Sequence, residues 1–126
     1  MPSWITICDT CKRPGWESGD MGQTDGERLA GLVESQAAGV ADLRTRRVSC
    51  TMGCDRACNI TVQGRGKICY SLGQFEPTDE AAEAIVAWAQ LHADSETGQV
   101  PYRQWPQGVK GHFVSRHAPL PPDDAA

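Results

Sequence analysis

No window of this 126-residue chain approaches the roughly 18 consecutive apolar residues of a membrane-crossing helix, so the sequence predicts no contact with a membrane interior. Its start, Met1-Pro2-Ser3-Trp4-Ile5-Thr6-Ile7-Cys8, lacks the basic residues and long apolar run of an export signal, and a cytoplasmic protein is expected. An excess of one charge is also missing. Twelve Lys and Arg stand against sixteen Asp and Glu, for a net charge of −4, which gives no support to nucleic-acid binding. A phosphate-cradling glycine loop is absent, because Gly64-Arg65-Gly66 is too short for one and suits a turn. The sequence offers no credible Ser/His/Asp set for nucleophilic catalysis and no internal repeat. What is left, 40% hydrophobic and 22% charged residues, is the balance of one globular domain with a real core.

Cysteine, by contrast, is plentiful. Cys8 and Cys11 form a C-x2-C pair, Cys50, Cys54 and Cys58 form C-x3-C-x3-C, and Cys69 is the sixth. In a reducing compartment, clustered thiols read as metal ligands or redox groups before structural disulfides.

The hydrophobic pattern places them. Trp4 to Cys8 is β-branched and aromatic and reads as a first strand, delivering Cys8 to its C-terminal end. A helix is predicted from Asp25 to Ala38, capped by Thr24 or Asp25, with Leu29, Leu32, Val33 and Ala37 on its buried stripe and Gly39 as its stop. Leu43 to Ser49 reads as a second strand that runs into Cys50. Asn59 to Gln63 and Lys67 to Leu72 alternate in polarity around Gly64-Arg65-Gly66 and predict a hairpin. Thr78 opens a second helix to His92, with Ile85, Trp88, Ala89 and His92 as its stripe. Beyond Asp94 the prolines predict loop. The expectation is a small α/β domain over residues 1–119, with a mixed sheet, two main helices and a C-terminal tail whose last part, 120–126, is flexible.

Two cysteine loops that both leave the C-terminal ends of strands can meet at one edge of a sheet. Cys8, Cys11, Cys50 and Cys54 are therefore the candidate ligands, in number and type what an iron–sulfur cluster requires. Cys58 shares the parity of Ile60 and Val62, which favours packing, and stands as an alternative ligand. Cys69 alternates within a strand and reads as a small packing residue. Zinc also takes four thiolates and is the alternative cofactor, and a zinc- or cobalt-binding structural or metal-delivering protein is the second reading. A thiol–disulfide oxidoreductase is the third reading, since C-x2-C follows a first strand, but the helix here starts later than in such motifs. His92 falls on a helix stripe and reads as packed; His112 and His117 are weak ligand candidates.

The ordered series Ile7-Cys8-Asp9-Thr10-Cys11-Lys12-Arg13, Val48-Ser49-Cys50-Thr51-Met52-Gly53-Cys54-Asp55-Arg56-Ala57-Cys58, Gly66-Lys67, Tyr70 to Gly73 and Gly98-Gln99-Val100-Pro101-Tyr102-Arg103 resembles a bacterial domain-of-unknown-function family labelled "predicted metal-binding protein". That family is similar to the thioredoxin-like [2Fe-2S] ferredoxins. The resemblance implies a thioredoxin-like fold, a [2Fe-2S] cluster on Cys8, Cys11, Cys50 and Cys54, a homodimer, and a one-electron carrier with a redox partner protein rather than an enzyme. It also points to cobalamin or cobalt metabolism. One departure is the short x2 gap of the first pair, which keeps Cys58 in play. Around the second loop, Arg44, Arg46, Arg47, Arg56, Arg65 and Lys67 crowd together with Asp55 as the single acid among them. They read either as a solvated face or, with Arg56, Arg47 and Lys67 foremost, as cations that raise a cluster's potential or dock an acidic partner.

Overall fold

A computed structural model of the chain describes residues 2–12, 24–49 and 57–119. The elements are β1 (Ser3–Cys8), α1 (Asp25–Ala37), β2 (Leu43–Val48), β3 (Ile60–Gln63), β4 (Cys69–Leu72), α2 (Asp79–Asp94), a 3-10 turn at Tyr102–Gln104, and β5 (Phe113–His117). The strands form one mixed sheet in the order β2-β1-β3-β4-β5. β1 and β2 run parallel, joined through α1, and the other neighbours are antiparallel.

The register explains the core. Ile5 lies opposite Val62 and Ile7 opposite Ile60, while Ile60 and Val62 face Leu72 and Tyr70. Alternation puts all six side chains on one face, and each is at most 2% exposed. Against them lie Leu29, Ala30 and Val33 of α1 and Ile85, Trp88 and Ala89 of α2, all fully buried. Each large side chain so removed from water contributes about 1.5–3 kcal/mol. Both helices contact β1, β2 and each other, so they cover the same face. The opposite face carries Trp4, which is 40% exposed, with Arg44 beside it on β2, and no described helix covers it.

Local chemistry sets the helix ends as the sequence predicts. Thr24 accepts from the Glu27 N–H, and the Glu27 carboxylate accepts from the Thr24 N–H, a reciprocal capping box. Thr78 caps α2 by accepting from the Ala81 N–H.

Two expectations are corrected. The hairpin strand does not begin at Lys67 but at Cys69, because the Ile68 N–H donates to the Thr97 carbonyl (2.8 Å) and Lys67 turns under α2. Gly98 permits that approach: its φ is +83°, and a Cβ there would meet the Ile68 nitrogen at 2.8 Å. The stretch after Asp94 is not wholly loop either. It returns as β5 on the outer side of β4, with a register shift between Ser71 and Leu72. Residues 120–126, the expected tail, lie outside the described residues.

Candidate metal centre

Cys8 is the last residue of β1, and the turn after it carries Cys11; each is 3% exposed. Three contacts fix this turn. The Asp9 N–H donates to the Val48 carbonyl (3.0 Å), the Gly26 N–H to the Cys11 carbonyl (2.9 Å), and the Thr24 hydroxyl to the Asp9 carbonyl. Thus the N-terminus of α1 is seated on the first cysteine loop. Gly26 makes the seating possible, because a Cβ at that position would lie 2.1 Å from the Cys8 carbonyl oxygen.

The approach to the second loop runs alongside. Cys8 is the register partner of Val48, and the Ser49 hydroxyl donates to the Asp9 carboxylate at 3.2 Å. Residue 50 follows directly. Cys50, Cys54 and Arg56 themselves lie outside the described residues. Among the described residues, no three Cys, His, Asp or Glu side chains gather to hold a metal ion, so Cys8, Cys11 and Cys58 do not make a site among themselves.

Cys58 is fully buried, next to the cis Ala57–Cys58 peptide. Its backbone is tied both ways to Phe75, Cys58 N–H to Phe75 C=O and Phe75 N–H to Cys58 C=O, each 3.2 Å. Asn59, only 8% exposed, reaches back to the first loop: its carbonyl accepts from the Cys8 N–H (3.3 Å), and its side-chain amide donates to the Cys11 sulfur (3.1 Å). Sequence reasoning missed Asn59. A polar residue just before a strand carries no periodic signal, and only the pairing of β3 with β1 brings it to Cys11.

The residues proposed to tune the site separate. Arg47 sits near the cysteine end of β2, opposite Ile7, and forms a two-pronged ion pair with Glu34 of α1 at 2.9 and 2.7 Å. That hydrogen bonding, outweighing partial burial, holds the Glu34 carboxyl below and the Arg47 guanidinium above their ordinary values, and Asp9 adds to the pull on Arg47. Lys67 is at the other end of the sheet, about five residues or roughly 17 Å along β1 from Cys8. Its ammonium donates to the His92 and Ala93 carbonyls (3.1 and 2.7 Å), closing the C-terminus of α2. Arg46 lies on the uncovered face, bonded to Thr6 and Gln63 and set 5.9 Å over the Trp4 ring.

The histidines are engaged structurally. His92 is fully buried between the Ser3 hydroxyl (2.6 Å) and the Ile68 carbonyl (2.7 Å). His112 bonds the Gly73 carbonyl and stacks on Phe75, 4.3 Å between ring centres. His117 lies on β5, opposite Cys69. Cys69 is half-buried on β4, with its thiol pushed up by burial and partly restored by a hydrogen bond from Gln63.

One sheet with β1 and β2 parallel at one side and two helices on a single face is a thioredoxin-like arrangement. A solved structure described as a thioredoxin-like [2Fe-2S] ferredoxin from Aquifex aeolicus superposes with a TM-score of 0.56 at 17% identity, covering 94% of each chain, and shows that class of fold. Residues 5–121 match the family described as proteins of unknown function, DUF1636, and the chain belongs to it. No curated protein matches the sequence. The fold and family expected from the cysteine series are thereby met.

Proposed function

We propose that this protein is a one-electron carrier that holds a [2Fe-2S] cluster on Cys8, Cys11, Cys50 and Cys54 and passes electrons to a partner protein without itself catalysing a reaction. One observation carries the reading: Ser49, the residue before Cys50, is hydrogen-bonded to Asp9, between Cys8 and Cys11. The two cysteine loops therefore start side by side. The described half of the ligand set suits thiolate ligation, with two buried sulfurs on one turn and an amide N–H aimed at one of them. The likeness in fold to a protein described as a [2Fe-2S] ferredoxin supports the same reading. When bound, the cluster supplies reversible one-electron chemistry; the chain supplies ligation, partial burial and hydrogen bonds that set the potential. A partner in cobalamin or cobalt metabolism is the finer proposal.

Isolation without air, followed by iron, acid-labile sulfide and zinc analysis, tests it. The expected result is a red-brown protein with two iron and two sulfide per chain. Cys8→Ser, Cys11→Ser, Cys50→Ser and Cys54→Ser should each abolish or reshape the visible spectrum, whereas Cys69→Ser should leave it and cost about 1 kcal/mol of stability. Stoichiometric zinc in a colourless protein overturns the reading, and so does a metal-free protein whose C-x2-C pair cycles as a disulfide. Loss of the cluster in Cys58→Ser with retention in Cys11→Ser would exchange that one ligand.

A further inference from the structure

We propose that Asn59 is a positioning residue of the centre, one that grips the first cysteine loop, selects the Cys11 sulfur as a ligand and raises the potential through an N–H···S hydrogen bond. The proposal rests on the reading of Cys11 as a ligand.

The grip has two parts. The Asn59 carbonyl accepts from the Cys8 N–H at 3.3 Å, and its amide nitrogen lies 3.1 Å from the Cys11 sulfur. One residue thus spans both cysteines of the C-x2-C pair from the neighbouring antiparallel strand. It is 8% exposed, and Cys11 is 3% exposed, so water does little to screen the contact.

The choice of acceptor is informative. A buried amide N–H needs a partner, and carbonyl oxygens are the ordinary ones. A neutral thiol is a poor substitute, since its sulfur accepts only weakly. A thiolate is a charged acceptor with lone pairs alone, so the amide must present N–H rather than oxygen, and hydrogen bonds to ionised groups are about twice as strong as neutral ones. The arrangement gains most when the Cys11 sulfur carries charge, as a ligating sulfur does. Cys58, the alternative ligand, is the residue next to Asn59, yet the amide is directed at Cys11 across the sheet.

A direction for the potential follows. Reduction adds a negative charge to the centre, part of which resides on the ligating sulfurs. A donor aimed at one of them interacts more strongly with the reduced form and favours it.

The test compares wild type with Asn59→Ala, which removes the donor, and Asn59→Asp, which sets a carboxylate oxygen in its place. Voltammetry should show the reduction equilibrium moved about tenfold toward the oxidised form in both, ~59 mV for a one-electron couple. Resonance Raman should show a shifted iron–cysteine stretch, with iron content and the far-UV spectrum unchanged. Unaltered potential and Raman bands in variants that retain the cluster overturn the proposal. If both variants lose it, Asn59→Ser, which keeps a hydroxyl donor, decides: retention with a potential below that of the wild type supports the assignment, and retention at the wild-type potential or loss in all three reduces Asn59 to a scaffold residue. Absence of iron and sulfide from the wild type is a different result, which removes the electron-carrier reading itself and this proposal with it.

Discussion

His92 illustrates how single residues in this protein serve the fold away from the first cysteine loop. A carbonyl can only accept, so the Ile68 contact fixes the proton on Nε2, and Nδ1 accepts from the Ser3 hydroxyl. Protonating Nδ1 would reverse that second bond, with the Ser3 hydroxyl turning to accept, and would place a charge in a fully buried site. Burial lowers the pKa of His92 below its ordinary 6.5, the Ile68 hydrogen bond opposes this, and the Lys67 ammonium adds to the lowering. In the unfolded chain the ring titrates near 6.5. Between the depressed folded value and 6.5 the unfolded state binds the extra proton, so the contribution is complete above 6.5 and is lost as pH falls through that range. Urea unfolding of the wild type at several pH values should show a midpoint that declines below pH about 6.5. His92→Gln should lower stability at neutral pH and flatten that decline. An equal slope in the two proteins would assign the pH dependence to other groups. The stripe Ile85, Trp88, Ala89, His92 was readable from helical spacing, and so was the packed role of His92. The roles of Lys67 and Asn59 were not, because each depends on a contact more than twenty residues away in sequence.

At the scale of elements, the N-terminus of α1 and the first cysteine loop form one unit. Gly26 is where they touch, and its only legible signal was a glycine inside a helical pattern. Gly26→Ala would set a methyl group 2.1 Å from the Cys8 carbonyl oxygen, and backbone atoms cannot yield cheaply. We expect a loss of about 1–3 kcal/mol, or more, in denaturant unfolding, together with weakened cofactor retention. Gly31→Ala serves as the control. It lies on the same helix with open space around its Cβ position, and should be neutral or stabilising by up to about 1 kcal/mol. Strands β1 to β4 and both helices were legible from alternation, helical spacing and caps. β5 was not. Its burial pattern shows no alternation, with Phe113 and Val114 both exposed, and prolines on either side of the segment argued for loop. What makes it a strand is the pairing surface offered by β4, a tertiary cause that no local pattern carries. The sequence reading places the site on four cysteines of two loops; the structure puts Cys8 and Cys11 on one buried turn, and Cys50 and Cys54 lie outside the described residues.

For the whole molecule, the expected homodimer needs a surface, and the arginines of β2 bear on which one. β2 lies at one margin of the sheet, where its outward backbone N–H and C=O groups have no neighbouring strand among the described residues. Such a margin templates the addition of further strands, with aggregation as the hazard. Three of the six residues of β2 are Arg44, Arg46 and Arg47. Two copies meeting margin to margin would set guanidinium against guanidinium, and like charges across a strand pair repel. The side chain of Arg44 also folds back onto the Ala41 and Leu43 carbonyls, at 2.8 and 3.0 Å. The arginines, read from sequence as either a solvated face or a docking patch, are on this argument expected to oppose polymerisation of the protein through its own sheet. Light scattering should find Arg44→Val/Arg46→Val forming large species in a concentration-dependent way at low salt, while the wild type stays a monomer or a closed dimer. A dimer built elsewhere on the molecule would be expected to survive in that variant's soluble fraction.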